Sequence, residues 1–127
     1  MVPRAPLSWL VRSGYGAIIE GIAWATNAPT VLVADVAPFK TETALQVWYT
    51  AGLRPWAEYI PLGDSMVEEH VVSRIRWARA HHQGAARDIA RRSTRFAESS
   101  LPQLVQFLYW AHALGAYSAL FGGPGAP

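Results

Sequence analysis

Cysteine is absent from the 127 residues of this chain. Its absence excludes a disulfide framework, a thiolate nucleophile and any thiolate metal site, although it does not by itself fix the compartment. Charge is also scarce. Asp, Glu, Lys and Arg make up 16% of the residues, and the net charge is +2. An unbroken apolar leader is lacking as well, because residues 1–10 carry Arg4 and two prolines. No signal peptide is therefore read there. From residue 101 to residue 123 there is no formal charge at all. That length would suffice to span a bilayer. Gln103, Gln106, His112 and Ser118 interrupt it, so it reads as a buried amphipathic helix and not as a transmembrane segment. With 51% hydrophobic residues, this is a folding chain of a length that suits one domain.

What is present is organised around Leu53-Arg54-Pro55-Trp56-Ala57-Glu58-Tyr59-Ile60-Pro61-Leu62. Pro55 cannot continue a helix, so a helix before it must stop near Gly52. Residues 57–62 then read as a short strand, with Pro61 at its end or edge. Gly63-Asp64-Ser65 turns the chain into a helical pattern. Upstream, the order is strand, helix, strand, helix; downstream, everything is helical.

Residues 1–14 contain prolines and show no period, as a linker or truncated N-terminal remnant would. Residues 15–20 form an apolar run that reads as a buried strand. Gly21 follows, and small residues lead into a helix over residues 28–34, where Pro29 suits a first turn. In α/β folds this is where backbone N–H groups at a helix N-terminus meet an anionic ligand; an ordinary strand-to-helix turn has the same pattern. A second strand is read over residues 35–40, with a strand over residues 30–36 as the alternative, since Val31, Val33 and Val36 are β-branched. A helix is read over residues 43–51, with Leu45 and Tyr49 on one face and Trp48 beside it. Ser65-Met66-Val67-Glu68 has capping-box spacing. Val67, Val71, Ile75 and Ala78 mark an amphipathic helix after it, broken at Gln83-Gly84. Helical period resumes over residues 85–98, and a last helix opens near Ser100-Leu101-Pro102-Gln103. Residues 122–127 form a tail.

Seven of the eleven Lys and Arg residues lie between Arg74 and Arg95. Without a groove-reading motif or interleaved aromatics, they are read as solvated helix faces and not as a nucleic-acid site. His81-His82 lacks a third ligand at metal-binding spacing. Lys40 could face a phosphate or simply solvent. Trp56 and Tyr59 read as packing aromatics.

Taken in order, Glu20-Gly21-Ile22-Ala23-Trp24, Pro38-Phe39-Lys40, Trp48 and the Leu53–Leu62 block resemble glycosyltransferase family ninety. Ile75-x-Trp77-Ala78, Ala86-x-x-Ile89-Ala90, Arg95-Phe96-Ala97-x-x-x-Leu101 and the aromatic last helix with Tyr117 extend the likeness over residues 15–121. This family includes fungal capsule xylosyltransferase-like proteins and animal protein O-glucosyltransferases. The resemblance implies an α/β fold: the Rossmann-like C-terminal donor-binding lobe of a GT-B enzyme, with a short parallel sheet followed by three C-terminal helices. It implies a UDP-sugar donor, no metal, a protein or glycan acceptor and the secretory pathway. It also implies that the acidic catalytic base lies in a missing N-terminal lobe, so that no catalytic residue is expected here. The donor-contacting turn falls on Gly21, Ala23, Trp24, Ala25, Thr26 and Asn27. Asn27 stands where the family carries an arginine, and either Ala25 or Thr26 aligns with a family serine. Glu20 replaces the usual aspartate. A lone lobe of this kind is expected to leave apolar surface uncovered.

Overall fold

Tyr15-Gly16-Ala17-Ile18 is too short and too Gly-rich to hold a strand on its own, and the chain gives it neighbours. The computed structural model describes residues 7–20, 25–44, 46–63 and 68–121. In it, β1 (Tyr15–Ile18), β2 (Ala37–Lys40) and β3 (Ile60–Pro61) form one sheet in that order. Both pairings are parallel, with Tyr15 opposite Ala37, Ile18 opposite Lys40 and Phe39 opposite Ile60. The fold is thus α/β with a short three-stranded parallel sheet and C-terminal helices, consistent with a Rossmann-like half. All three strands are shorter than the sequence pattern predicts. Pro38 accounts for part of this. The N–H groups of Ala37 and Thr41 point at β1, bonding the carbonyls of Gly14 and Ile18. By alternation, Pro38 presents its missing donor to the β3 side. Ladder pairing on that side begins only at Phe39.

Between β1 and β2 runs α2 (Ala28–Val33), with Pro29 in its first turn. This overturns the alternative strand over residues 30–36. Val31 and Leu32 are buried there, so tertiary packing outweighs β-branching. The helix predicted over residues 43–51 is also absent among the described residues; only a 3₁₀ turn, Thr50–Gly52, forms. The Thr50 hydroxyl bonds the Val47 carbonyl at 2.8 Å and lies 3.1 Å from the Val47 N–H. Such local side-chain bonds compete with the helical ladder. Leu45 lies outside the described residues. Conversely, α1 (Leu7–Ser13) forms in the stretch read as aperiodic, and its Leu10 packs on the core.

Downstream come α3 (Glu68–Ala80), α4 (Ala85–Ser100) and α5 (Gln103–Phe121). Ser65, Met66 and Val67 of the predicted capping box lie outside the described residues. The periodicity of α4 is realised: Ala86, Ile89, Ala90 and Ala97 are all buried. This helix serves two clusters. Ala97 joins Ile18, Val31, Leu32, Val36, Leu53 and Tyr59. Ala86, Ile89 and Ala90 join Phe39, Ile60, Leu62 and Ala78. Fully buried Ser93 lies between them in sequence and donates to the Leu32 carbonyl at 3.3 Å.

The last helix departs from expectation. No residue of α5 is buried, and Leu104, Phe107, Leu114, Tyr117 and Leu120 are all more than 60% exposed. Its apolar side chains point all round the axis, so no single stripe faces the body. It meets the loop before the 3₁₀ turn through Tyr109, whose ring centroid is 5.7 Å from that of Trp48. Among the described residues, no helix is long and apolar enough to cross a membrane.

Candidate functional site

In open parallel sheets, ligands bind beyond the carboxyl ends of the strands. At that edge β1 runs into Glu20, and β2 runs into Thr41, Glu42 and Thr43. The Glu20 carboxylate is almost wholly shielded, with its side chain 3% exposed. It pairs with Lys40 Nζ at 3.3 Å and accepts from the Thr43 hydroxyl at 2.6 Å. The Glu20 N–H donates to the Thr41 hydroxyl at 2.9 Å. Lys40 also donates to the Thr41 carbonyl at 2.9 Å and stands 5.6 Å from the centre of the Tyr59 ring. The sequence reading expected Lys40 to face a phosphate or solvent; it does neither and is instead a buried counter-ion for Glu20. A buried pair of this kind needs its remaining donors and acceptors satisfied, and the two threonines help supply that. The network fixes the backbone at the point where the chain leaves β1.

Of the turn residues singled out from sequence, Gly21, Ala23 and Trp24 lie outside the described residues. Ala25 is buried and belongs to the core. Thr26 and Asn27 are exposed. Asn27 sits at the N-cap of α2 but makes no side-chain cap bond. Its amide instead donates to the Ala17 carbonyl of β1 at 3.0 Å. That bond ties the start of α2 to the strand, and it occupies a donor that the sequence reading had turned toward a ligand.

Beside this turn opens a cleft of about 610 Å³. Ala25, Thr26 and Pro29 contribute from the turn and α2, Gln46 to Tyr49 from the following loop, and Gln106, Tyr109 and Trp110 from α5. Trp48 and Tyr49 meet edge-on, with centroids 5.4 Å apart; Tyr109 and Trp110 do the same at 5.8 Å. Among the described residues, none that lines the cleft carries a formal charge. Burial, and then the charge of Glu20, raise the Tyr49 phenol above its ordinary value, so it serves as a neutral hydrogen-bonding group. Flat rings with two carboxamides suit an uncharged ring-bearing ligand, whose faces stack while its edges hydrogen-bond. The sequence reading did not find Gln46, Gln106, Tyr109 or Trp110. The available signal was the repetition of adjacent aromatic pairs, Trp48-Tyr49 and Tyr109-Trp110.

The Leu53–Leu62 block acts as a brace. Glu58 is buried and accepts from the Arg54 N–H at 2.8 Å and from Arg54 Nη2 at 2.8 Å. The loop between them puts Trp56 at φ 63°, with the Arg74 guanidinium 4.7 Å from its ring centre and Trp77 at 4.9 Å. Tyr59 is buried, as a packing aromatic should be, while Trp56 is exposed. His81 stacks on Trp77, whereas His82 lies 2.8 Å from the Tyr15 hydroxyl. Among the described residues, no group of three His, Asp or Glu could hold a metal. Within the basic segment, Arg87 pairs with Asp35 at 2.7 Å and Arg91 with Asp88 at 3.5 Å.

The chain matches a known family. The pattern of Glycosyl transferase family 90 covers residues 4–123. It takes in all the elements from α1 to α5 and begins inside the stretch that the sequence reading had set aside as a linker. The chain belongs to glycosyl transferase family 90.

Proposed function

We propose that this chain is the donor-binding half of a GT-B glycosyltransferase that moves a glucosyl or xylosyl residue from a UDP-sugar to a protein or polysaccharide acceptor in the secretory pathway. The observation that carries this reading is the uncharged aromatic cleft of about 610 Å³ beside the β1–α2 turn, at the carboxyl edge of the sheet. In this reading the backbone N–H groups of residues 21–27 face the diphosphate, and the cleft takes the flat or cyclic parts of the donor. The N-terminal half supplies the acidic base, and no residue of this chain is assigned a proton-transfer step. No metal is required.

The diphosphate contacts are weak in this reading. With six residues, α2 offers a helix-end contribution on the order of 0.3–1 kcal/mol. A charged hydrogen bond contributes more, roughly 1.5–3 kcal/mol. Asn27→Arg would place a guanidinium at the exposed lip of the turn. It also gives up the bond to Ala17, a neutral bond of about 1 kcal/mol to folding. Calorimetric titration of UDP should show binding tightened by roughly tenfold in Asn27→Arg. The gain should shrink as salt rises. Equal affinities, or no binding by either form, would overturn the donor-site reading.

A second reading, a non-catalytic Rossmann-like interaction module, draws on the exposed apolar helix α5. A module of that kind binds a partner through α5 and leaves UDP unbound, so the same titration separates the two.

A further inference from the structure

At the opposite edge of the sheet, a second cavity of about 390 Å³ opens where β1 and β2 begin. It shares no lining residue with the aromatic cleft. Three basic side chains line it: Arg12 from α1, His82 from the α3–α4 corner and Arg87 from α4. Among the described residues, Asp35 is the only acid in the lining. Two arginines against one aspartate leave the cavity net positive.

Both guanidinium groups have donors to spare. Arg87 Nη1 donates to the Asp35 carbonyl at 3.1 Å and Nη2 to its carboxylate at 2.7 Å. Those bonds use two of the five guanidinium donors. Asp35 adopts φ 54°, a conformation uncommon outside glycine, and its carbonyl and carboxylate together hold Arg87. Arg12 is exposed and has no hydrogen-bond or ion-pair partner among the described residues. The Tyr15 hydroxyl lies 3.0 Å from the Ala78 carbonyl and 2.8 Å from His82 Nδ1. Its single proton goes to the carbonyl, so Nδ1–H donates to Tyr15, and Nε2 can donate to an anion only in the imidazolium form, in which both ring nitrogens carry a proton. Gly14, at φ 71°, keeps this edge clear, since a Cβ there would lie 3.1 Å from His82 Cε1.

We propose that this cavity binds a small phosphate-bearing anion. A planar carboxylate is satisfied by one guanidinium fork. Guanidinium donors arriving from α1 and from α4, with the His82 imidazolium at the α3–α4 corner, suit instead a tetrahedral group with oxygens in several directions. The cavity is larger than one phosphate fills, and Val11, Ala34 and Ala90 provide apolar wall for an organic remainder. The site is independent of the donor reading.

The test is a titration of the full chain with pyrophosphate, followed by nuclear magnetic resonance, with acetate at matched ionic strength as control. The Gly14 amide and His82 imidazole signals should shift saturably, with a Kd near or below about 1 mM, and acetate should bind at least tenfold more weakly. Arg12→Gln, at an exposed position that leaves the fold alone, and His82→Gln should each weaken binding by about fivefold or more. The proposal fails if the shifts do not saturate by about 20 mM, if they are confined to Thr26 and Asn27, if acetate matches pyrophosphate, or if both variants bind like the parent chain.

Discussion

Glu58 and Tyr59 are neighbours that burial drives the same way, and they end on opposite sides of their ordinary values. Burial raises the pKa of Glu58, but hydrogen bonds from the Arg54 side chain and backbone, with the charges of Arg54 and Arg92, outweigh it and hold the carboxyl low. For Tyr59 nothing opposes burial. Glu42, Glu20 and Glu58 add to it, and the phenol is pushed up to about 12. The two therefore act at opposite ends of the pH scale. Glu58, lowered in the folded chain, contributes stability above its ordinary value near 4.5, and that stability is lost as pH falls through the lower folded value. Tyr59, raised in the folded chain, contributes fully below about pH 10 and loses its contribution as pH climbs through about 12. Urea unfolding across pH should show Tyr59→Phe removing an alkaline loss on the order of 2 kcal/mol. Glu58→Gln should cost about 1–2 kcal/mol at neutral pH and flatten the acid limb. Unchanged limbs in both variants would contradict these assignments. At this scale the sequence was least informative. Burial of Lys40 depends on Glu20, which is distant in sequence, and the tie from Asn27 to Ala17 needs α2 already seated on β1.

Among the elements, the short strand after Pro55 and the helix after it were readable because proline and glycine act locally, whereas the helix expected to stop near Gly52 is only a 3₁₀ turn. Parallel pairing of the three strands was expected from helices between them; the pairing is parallel, although among the described residues only α2 of those two helices forms. Elements whose state depends on tertiary contacts were misread. Leu45 and Tyr49 have helical spacing, yet Thr50 closes a local turn with Val47. Charge-free α5 was expected to be buried, but absence of charge says nothing about which neighbour covers a helix. The short strand β1 depends on close packing over it. A Cβ at Gly16 would lie 2.6 Å from Val31 Cγ1 and 2.9 Å from Leu10 Cδ1. Gly16→Ala should destabilise the chain by roughly 1–3 kcal/mol, as overpacking does. Chemical denaturation of the variant checks this. A midpoint equal to that of the parent chain would mean that α1 and α2 do not close on β1 as described.

For the whole molecule, the carboxyl edge of the sheet combines a fixed backbone exit at Glu20, a tied helix start at Asn27 and an uncharged aromatic cleft. The turn was legible in the sequence as a strand, glycine and small residues before a helix. The cleft was not, because its walls come from segments about sixty residues apart, and α5 reaches it mainly through Tyr109 and Trp110. The apolar side chains of α5 are uncovered, and large exposed apolar surface of this kind marks interaction sites. The most direct test of a donor site at this edge is a titration with UDP-glucose followed by nuclear magnetic resonance. Saturable shifts of the Thr26 and Asn27 amides, together with the Trp48 and Trp110 indole N–H signals, are the predicted result. Saturation that leaves those four signals in place, or no saturation at all, would contradict it.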